Sequence, residues 1–424
     1  MSLYGSRLTT QPTPFCMCEG EYDSTLCTGD LFYVMRIAYI INSLDGYGAG
    51  LPIPLIIRFM RSTGADVRVF AFARRDGRME SVLQEAGIPY EVQPKGGIVA
   101  SVFWLRRRLA AYQPALLWTS LVHATLYGRG LGAILGLPVV SWQHNMFLKR
   151  GNILALAATR RMTNLWVADS ETVATMTRRR FGLRADDIAV WPLFVADPDA
   201  PQARAAQPGE CFRLGSLGRL HPHKGYDVLI RALAKLNRET PAVSATFKMI
   251  IGGEGADRAR LEALARLHNV SNLEFAGYQE NPRDFLSTLH GYIQPSRVEG
   301  LCISAHEAMQ AGLPAIVSDI GEMPLSVQKD RTGFVVPPED SEALAAAIHR
   351  LVAERARAAA MGAAARAHVN ERFSQARFRI AGQEIMRTAY RLARPVSTDA
   401  ASAAVAETWQ PAAVMPARDS RNLG

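Results

Sequence analysis

The sequence predicts an α/β protein made of two doubly wound domains that face each other across a cleft. At 424 residues the chain is longer than one hydrophobic core usually organises. Short β-branched runs alternate with segments of helical periodicity, which is the pattern of a parallel sheet with right-handed crossovers. Near the middle, the stretch DPDAPQARAAQP at 197–208 has the composition of a linker and interrupts that alternation.

The first block of alternation predicts one parallel sheet, with helices such as Leu51–Arg61 and Ser101–Tyr112 between its strands. The predicted strands are Arg36–Ile41, Asp66–Phe72, Tyr90–Val92, Leu116–Ser120, Pro138–His144, Leu165–Asp169 and Ile188–Val195. The second block predicts a sheet of the same kind. Its strands are Phe212–Leu217, Ala245–Ile251, Leu273–Phe275, Gly291–Gln294, Pro314–Ser318 and Gly333–Val336. Doubly wound sheets bind ligands outside the carboxyl ends of their strands, so the cleft is the expected active site.

The limits of these patterns predict the domain boundaries. Apolar periodicity starts at Met35 and fades after the last helical segment, where an Ala/Pro/Ser stretch follows. We expect an extension outside the fold at 1–34, an N-terminal domain at 35–196, a linker at 197–209 and a C-terminal domain at 210–375. A C-terminal helix at 376–394 can pack back on the N-terminal domain, and a disordered tail is expected at 395–424.

Composition narrows the class of protein. A hydrophobic content of 48% and a charged content of 21% are ordinary for a globular protein, and no run approaches the ~18–20 apolar residues that span a bilayer. The five cysteines are odd in number and lack the paired spacing of a zinc site. Together with a polar N-terminus that offers no secretory signal, they predict reduced thiols in the cytoplasm.

The net charge of +9 is concentrated in the first half of the chain. Residues 36–195 hold 20 Lys and Arg against 10 Asp and Glu, whereas residues 210–393 hold 23 against 20. Such an excess indicates an anionic partner: lipid head groups, a diphosphate or nucleic acid. Nucleic acid is disfavoured because no recognised binding motif accompanies the charge.

One segment of the basic half, VFWLRRR at 102–108, combines aromatic and basic residues on a predicted helix. This pattern predicts peripheral contact with an anionic membrane surface, with the tryptophan at the interface. The alternative is an apolar stripe that faces the core beside a solvated charged face.

The stretch GSLGRLHPHKGYDVLIRAL at 215–233 places two cations, Arg219 and Lys224, at a strand-to-helix turn. A planar guanidinium and a compact ammonium beside helix N-terminal amides can neutralise a diphosphate, although a solvated turn is the alternative. Its glycines, Gly215 and Gly218, would let the backbone approach a ligand. The loop at 252–255, which includes Gly253, is either a second phosphate- or nucleoside-facing loop or a simple turn.

Two glutamates stand eight positions apart in SRVEGLCISAHE at 296–307. Glu299 is expected at a helix mouth and Glu307 about two turns further on, too far apart to share a proton. Each can therefore accept hydrogen bonds from a different set of ligand hydroxyls. The alternative is that both are acids favoured by the helix dipole.

These motifs, followed by QAGLPAIVSDIGEMP and TGFVVPPED in the same order, resemble the retaining glycosyltransferases of family four, which have the GT-B fold of two Rossmann-like domains. The E-x7-E signature of that family falls on Glu299 and Glu307. The resemblance implies that Arg219 and Lys224 hold the donor diphosphate, that Glu307 holds the nucleoside ribose and that Glu299 holds the donor sugar. The amides of Gly300 and Leu301 would contact diphosphate and sugar, and no metal or other cofactor is expected.

The same resemblance extends more loosely to the N-terminal half. Gly48 would bring the backbone close to the diphosphate, and His144 would lie near the reacting carbon, with His123 as its rival. Two departures from the family pattern, Pro192-Leu193-Phe194-Val195-Ala196 before the linker and Leu325 after Gly-x-x-Pro, bear on the choice of acceptor or sugar. Asp197-Pro198-Asp199 has the form of the Asp-x-Asp metal motif of the other large glycosyltransferase fold, but it lies in the linker.

The expected function is retaining transfer of a hexose from a nucleoside diphosphate sugar to an acceptor hydroxyl. The expected acceptor is a lipid-linked saccharide of bacterial exopolysaccharide or cell-surface glycan synthesis, on the inner face of the plasma membrane. The alternatives are a catalytically silent nucleotide-sugar-binding protein and a transferase that acts on a soluble small molecule. A nicotinamide-dependent oxidoreductase is disfavoured because no strand-to-helix turn reads Gly-x-Gly-x-x-Gly with an acidic residue about 20 positions later.

Overall fold

The computed structural model describes residues 34–45, 52–144 and 148–393. Gly48, most of the expected extension at 1–34 and the expected tail at 395–424 lie outside the described residues. No helix within the described part is both long and apolar enough to cross a membrane.

Within the described residues, strands form two wholly parallel sheets, seven-stranded in the N-terminal half and six-stranded in the C-terminal half. The first sheet consists of β1 (Arg36–Ile41), β2 (Asp66–Ala71), β3 (Tyr90–Val92), β4 (Leu116–Ser120), β5 (Val139–Gln143), β6 (Leu165–Ala168) and β7 (Ile188–Val190). The second consists of β8 (Phe212–Leu217), β9 (Phe247–Gly252), β10 (Leu273–Gly277), β11 (Gly291–Gln294), β12 (Ala315–Ser318) and β13 (Gly333–Val336). The predicted α/β class and the two doubly wound sheets are confirmed.

Helices connect the strands and cover both faces of each sheet. In the N-terminal half they are α1 (Ile53–Ser62), α2 (Arg78–Glu85), α3 (Ile98–Tyr112), α4 (Val122–Leu135), α5 (Arg150–Ala158) and α6 (Glu171–Phe181). In the C-terminal half they are α7 (Tyr226–Glu239), α8 (Pro241–Ser244), α9 (Arg258–Leu267), α10 (Pro282–Ser287), α11 (Ile303–Gln310), α12 (Met323–Ser326), α13 (Ser341–Ala353), α14 (Arg355–Arg372) and α15 (Gln375–Leu392).

The strand orders explain where a ligand can enter. The sheets run β3-β2-β1-β4-β5-β6-β7 and β10-β9-β8-β11-β12-β13, so the chain reverses direction between β1 and β4 and again between β8 and β11. At such a switch point two neighbouring loops diverge and leave a crevice at the carboxyl edge. The loops after β8 and β11 carry the predicted cations and the first predicted glutamate.

The last strand of the first sheet is shorter than the sequence predicts. It ends at Val190, not at Val195, because the following residues turn away to pack as buried side chains between the domains. The Trp191 amide still donates to Ala168, but the Ala196 amide donates to the carbonyl of Phe373 in the C-terminal half, 2.8 Å away in each case. An apolar run therefore continues past the sheet because it fills an interdomain core.

The C-terminal helix α15 packs against α1 and β7 of the N-terminal half. Its Phe378 ring stands 5.3 Å from that of Trp191 and 5.6 Å from that of Phe59. Near its end, the Tyr390 hydroxyl donates a 2.8 Å hydrogen bond to the carbonyl of Thr63 after α1. The helix therefore connects the C-terminal half back to the N-terminal half.

A buried carboxylate forms a second contact between the halves. Glu322 is 2% exposed and accepts a 3.0 Å hydrogen bond from the amide of Thr172 in the first turn of α6, while Arg372 pairs with its other oxygen. Thr172 also donates its hydroxyl proton to the carbonyl of Gly321. The carboxylate thus satisfies one free amide of a helix start and one arginine at once.

Candidate active site

A cleft of about 650 Å³ lies between the carboxyl edges of the two sheets. Residues from the N-terminal half that line it include Ile41, Ser43, Asp45, Leu121, His144 and Asp169. Residues from the C-terminal half include Gly218, Arg219, Lys224, Gly253, Glu299, Gly300, Leu301 and Glu307. The structure thus brings these predicted residues together at one cleft, whereas Gly215 and His123 are not among the residues that line it.

Lys224 and Glu299 form one unit at the floor of the cleft. The ammonium Nζ donates to Glu299 Oε1 at 2.6 Å, and the two side chains are only 22% and 11% exposed. Burial is the largest single influence on the pKa of Lys224 and lowers it, but Glu299, Cys302 and Tyr226 together outweigh burial and hold the pKa above its ordinary value. The lysine therefore stays charged in the empty cleft.

A buried chain of hydrogen bonds fixes the position of Glu299. Tyr292 donates to Gln294 Oε1 at 2.7 Å, Gln294 donates to Ser296 at 2.8 Å, and Ser296 donates to Glu299 Oε1 at 2.7 Å. All but Glu299 are buried residues of β11 or the turn after it. The only feature of the sequence that hints at this chain of hydrogen bonds is the alternation of polar side chains at the end of a strand.

Arg297 connects the cation loop (residues 218–225, after β8) to the glutamate loop (residues 295–302, after β11). Its guanidinium donates two parallel hydrogen bonds of 2.7 and 2.8 Å to Asp227 at the start of α7, and a third of 2.8 Å to the carbonyl of Pro222. The turn Pro222–Lys224 is a short 3-10 helix that ends at Gly225. Two loops from neighbouring strands are therefore clamped so that Lys224 points at Glu299.

Gly225 and Gly253 allow neighbouring segments of the backbone to pack closely. Gly225 has a φ of 67°, and a Cβ there would lie 1.9 Å from the carbonyl oxygen of Pro295. Gly253 has a φ of 139°, and a Cβ would lie 2.0 Å from that of Gly218. The expectation that Gly215 lets the backbone approach a ligand is wrong, because the missing side chain leaves room for Leu289, 2.2 Å from where its Cβ would be.

Glu307 lies in the middle of α11, whose N-cap is Cys302 in the left-handed conformation. None of the described residues hydrogen-bonds its carboxylate, and burial raises its pKa to about 7 against a weak opposing attraction from Arg283. A carboxylate that faces a cleft without a partner is suited to accept hydrogen bonds from two hydroxyls of a ligand.

His144 forms the opposite wall. Its Nε2 lies 2.6 Å from Ser120 Oγ, its Nδ1 lies 3.8 Å from Asp169 Oδ2, and burial lowers its pKa to about 3. For Asp169 burial has the opposite effect and raises the pKa of the carboxyl, with a smaller contribution in the same direction from the charge of Glu322. Ser120 and Asp169 are partners that the sequence reading missed, although each stands at the end of a predicted strand.

The rival histidine, His123, is exposed on α4 and stacks on Tyr127 with ring centroids 6.3 Å apart. It is not among the residues that line the cleft. At the rim between the two halves, Gly300 packs directly under His144: a Cβ on Gly300 would lie 2.4 Å from the His144 carbonyl oxygen. Glycine is required at this position because the two walls of the cleft touch there.

The Asp-x-Asp motif at 197–199 is engaged in structural contacts. Asp197 pairs with Arg283 at 2.7 Å, and its amide donates to Gln310 at 2.7 Å. The amide of Asp199 donates to the carboxylate of Asp197. Within the described residues, no cluster of three or more His, Cys, Asp or Glu is arranged to hold a metal ion.

The C-terminal wall presents an exposed guanidinium, a half-buried ammonium and the start of α11 on one side of the cleft. Positive charge and free helix amides at one place suit a ligand with a concentrated negative charge, such as a diphosphate. Glu299 and Glu307 flank that position with acceptors for hydroxyl groups. This combination suits a molecule that carries both a diphosphate and sugars.

Two protein-family models match the chain, one on each half. The model described as Glycosyltransferase Family 4 matches residues 55–197, and the model described as Glycosyl transferases group 1 matches residues 202–368. The two matches follow one another and correspond to the two sheets.

Among curated proteins, a D-inositol 3-phosphate glycosyltransferase of Acidothermus cellulolyticus is 26% identical over 358 residues, which are 73% of this chain and 78% of the relative. A GDP-mannose-dependent alpha-(1-6)-phosphatidylinositol monomannoside mannosyltransferase of Mycolicibacterium smegmatis is 36% identical over 194 residues. That match covers 41% of this chain and 47% of the relative.

Solved structures share the fold at lower identity. Anabaena Alr3699/HepE, solved in complex with UDP-glucose, superposes with a TM-score of 0.71 at 20% identity and covers 84% of this chain and 100% of its own. The lipopolysaccharide outer core galactosyltransferase WaaB superposes with a TM-score of 0.67 at 19% identity over the same shares. The chain is a glycosyltransferase and belongs to glycosyltransferase family four, the retaining GT-B family that its E-x7-E motif predicted.

Proposed function

We propose that this enzyme transfers a hexosyl group from a nucleoside diphosphate sugar to an acceptor hydroxyl, with retention at the anomeric carbon. The observation that supports this most is the Lys224–Glu299 pair, which puts a permanent positive charge and a hydroxyl acceptor at the floor of one cleft. Arg219 and the start of α11 lie on the same wall.

In the proposed reaction, the bond between the anomeric carbon and the diphosphate oxygen breaks, and its electron pair stays on that oxygen. The acceptor oxygen bonds to the same face of the carbon and gives its proton to the departing phosphate. Negative charge therefore grows on the diphosphate in the transition state. Lys224, Arg219 and the amides of Gly300 and Leu301 offset it, which is electrostatic catalysis that needs no protein base.

The glutamates and the histidine would position the donor. Glu307 would bind the two ribose hydroxyls, and Glu299 would accept hydrogen bonds from the sugar while it holds Lys224. His144, uncharged at neutral pH, would lie beside the sugar on the opposite wall. Since cations and amides supply the positive charge, we expect activity without a metal, which transfer assays in the presence of EDTA can test.

For the acceptor, we propose a lipid-linked saccharide of exopolysaccharide or cell-surface glycan synthesis. The basic N-terminal half supports an acceptor that carries or adjoins negative charge. One curated relative is named for transfer to phosphatidylinositol monomannoside, which is a lipid, and others are named for transfer to D-inositol 3-phosphate, which is a soluble phosphate. A soluble small-molecule acceptor is therefore the second candidate.

The test uses purified protein and a panel of uridine, guanosine and adenosine diphosphate sugars. One donor should raise the melting temperature and should release its nucleoside diphosphate when acceptor is added, and Glu307→Ala should remove both effects. A donor that stabilises the protein without any release would support the silent binding protein instead. Stabilisation by none of the donors would contradict the proposed function.

A further inference from the structure

The whole net charge of the chain resides in one stretch of sequence. Residues 92–168 contain nine Lys and Arg and no Asp or Glu, a net charge of +9, while the remainder holds 39 of each sign. At the overall frequency of 39 acids in 424 residues, these 77 residues would hold about seven (39/424 × 77). The absence of acids, more than an excess of bases, sets this stretch apart.

The helices of this stretch and the loops beside them form one layer of the N-terminal half, which we name the basic layer (residues 92–115, 121–138 and 148–164). Helices α3, α4 and α5 cover the same face of the first sheet, with α4 in contact with both neighbours. The layer lies opposite α1 and α15, because crossovers that run in opposite directions from β1 are placed on opposite faces. Seven of its nine cations are exposed on the outside: Lys95, Arg106, Arg107, Arg108, Lys149, Arg150 and Arg161.

The outer face of α3 is also apolar where a solvated helix would be polar. Ile98, Val99 and Phe103 are 68%, 68% and 64% exposed in its first two turns. Arg106 and Arg107 follow on the same side, and neither forms an ion pair with any residue in the described ranges. Opposite them, Leu105 and other buried side chains pack on the sheet, so the exposed apolar residues are not part of the core.

The most exposed aromatic residue of α3 is Phe103, whereas Trp104, which was expected at the interface, is less exposed. Trp104 is half-buried and packs edge-on against Phe70 and Phe72, with ring centroids 6.3 and 6.1 Å apart. Helical spacing explains this: adjacent residues differ by about 100° around the helix, so only one of the two can face outward.

We propose that the basic layer docks on an anionic lipid bilayer, with Ile98, Val99 and Phe103 inserted between head groups and Arg106 and Arg107 on the phosphates. The neighbouring acid Glu91 is paired with Arg108, so the remaining exposed cations attract anionic lipids, and apolar side chains next to them gain from burial at the acyl boundary. Nucleic acid would pair its phosphates with the cations but would not bury the exposed aliphatic side chains. The cations and the apolar residues together therefore favour a bilayer.

The position of the patch fits the active site. Helix α3 begins after β3, so its first two turns lie at the carboxyl edge of the sheet, the edge that borders the cleft. A bilayer there would present the head group of a lipid-linked acceptor at the cleft while its tail stays in the membrane. This consequence rests on the proposed function, whereas the docking itself does not.

The test measures sedimentation of the full chain with vesicles of phosphatidylcholine, alone or mixed with phosphatidylglycerol. We expect binding to the mixed vesicles that weakens as salt rises. At about fivefold per basic residue near an anionic surface, Arg106→Glu with Arg107→Glu should weaken binding about 25-fold or more. Phe103→Asp should weaken it at least about tenfold. Arg266→Glu and Leu267→Asp on α9, an exposed cation and a 75% exposed leucine in the other half, serve as matched controls and should bind as the wild type does.

Equal binding to both kinds of vesicle, or equal loss in the α3 and α9 variants, would overturn the proposal. So would a dimer in sedimentation equilibrium that Phe103→Asp dissociates, because a second copy would then cover the patch. Donor-induced stabilisation, measured on the same samples, should be unchanged in the α3 variants. Vesicle binding without any donor turnover would refute the proposed function alone, and donor turnover without vesicle binding would refute the docking alone.

Discussion

Replacing Glu307 by glutamine should stabilise the empty enzyme, and the gain should depend on pH. Burial raises the pKa of this carboxyl to about 7 from its ordinary value of 4.5. The folded state therefore holds the proton more tightly than the unfolded state, and stability falls as pH rises from 4.5 to 7. Above pH 7 the full cost applies: the shift from 4.5 to about 7 corresponds to about 3 kcal/mol at about 1.36 kcal/mol per pKa unit.

Thermal unfolding of wild type and Glu307→Gln at pH 8 and pH 4 measures this difference. For a chain of this size about 3 kcal/mol corresponds to a melting temperature about 4 °C higher for the variant at pH 8. At pH 4 the difference should nearly disappear, because the carboxyl is mostly protonated in both states. Glu280→Gln removes a carboxylate from the same cleft and controls for net charge. Equal melting temperatures of wild type and Glu307→Gln at pH 8 would refute the reasoning.

Three further predictions concern Arg297, Glu322 and His144. Arg297→Ala removes the double hydrogen bond to Asp227 and should lower kcat by about tenfold or more, measured by nucleotide release, because the cation loop loses its clamp. Glu322→Gln should lower the free energy of unfolding by about 3 kcal/mol in thermal or denaturant unfolding, because it leaves Arg372 without its counter-charge between the halves. His144→Asn should leave the shape of the pH–rate profile between pH 5 and 8 unchanged, because the histidine is already neutral there.

The first of these predictions has a matched control variant, and each has an outcome that would contradict it. Arg231→Ala also removes a partner of Asp227, an exposed one within α7, and should leave kcat near that of the wild type. Loss of activity to the same extent in both arginine variants would contradict a specific role for the clamp. For the interdomain contact, unaltered unfolding of Glu322→Gln would show that the buried pair adds no stability. A titration step lost with His144 would contradict its neutral state.

The fold was predictable because the periodicity of the chain is unambiguous. Each of the thirteen strands within the described residues overlaps a predicted one, since buried parallel strands form continuous apolar runs bounded by turn residues. The predicted strand bounds were wrong where an apolar run forms part of a core instead of a strand. Phe194 belongs to the interdomain core, where its ring lies 5.5 Å from those of His306 and Phe373, and one-dimensional patterns do not reveal such a contact.

The residues of the site that belong to a sequence motif could be predicted. The contacts between residues that are distant in sequence could not. Glu299 and Lys224 were each expected to contact the donor, but the sequence did not indicate that they pair with one another. They are 75 positions apart and meet only because β8 and β11 are neighbours in the sheet. Arg297 and Asp169 were missed for the same reason: each lies beside a residue from another part of the sequence, Asp227 and His144 respectively.

The most direct test of the account is the kcat of Lys224→Met with the cognate donor and acceptor. Methionine keeps the length of the side chain and removes the charge that should stabilise the departing diphosphate. The account predicts that kcat falls by about 10²–10³ while the melting temperature stays high enough for a folded enzyme at the assay temperature. A variant that is folded and turns over at the rate of the wild type would contradict it.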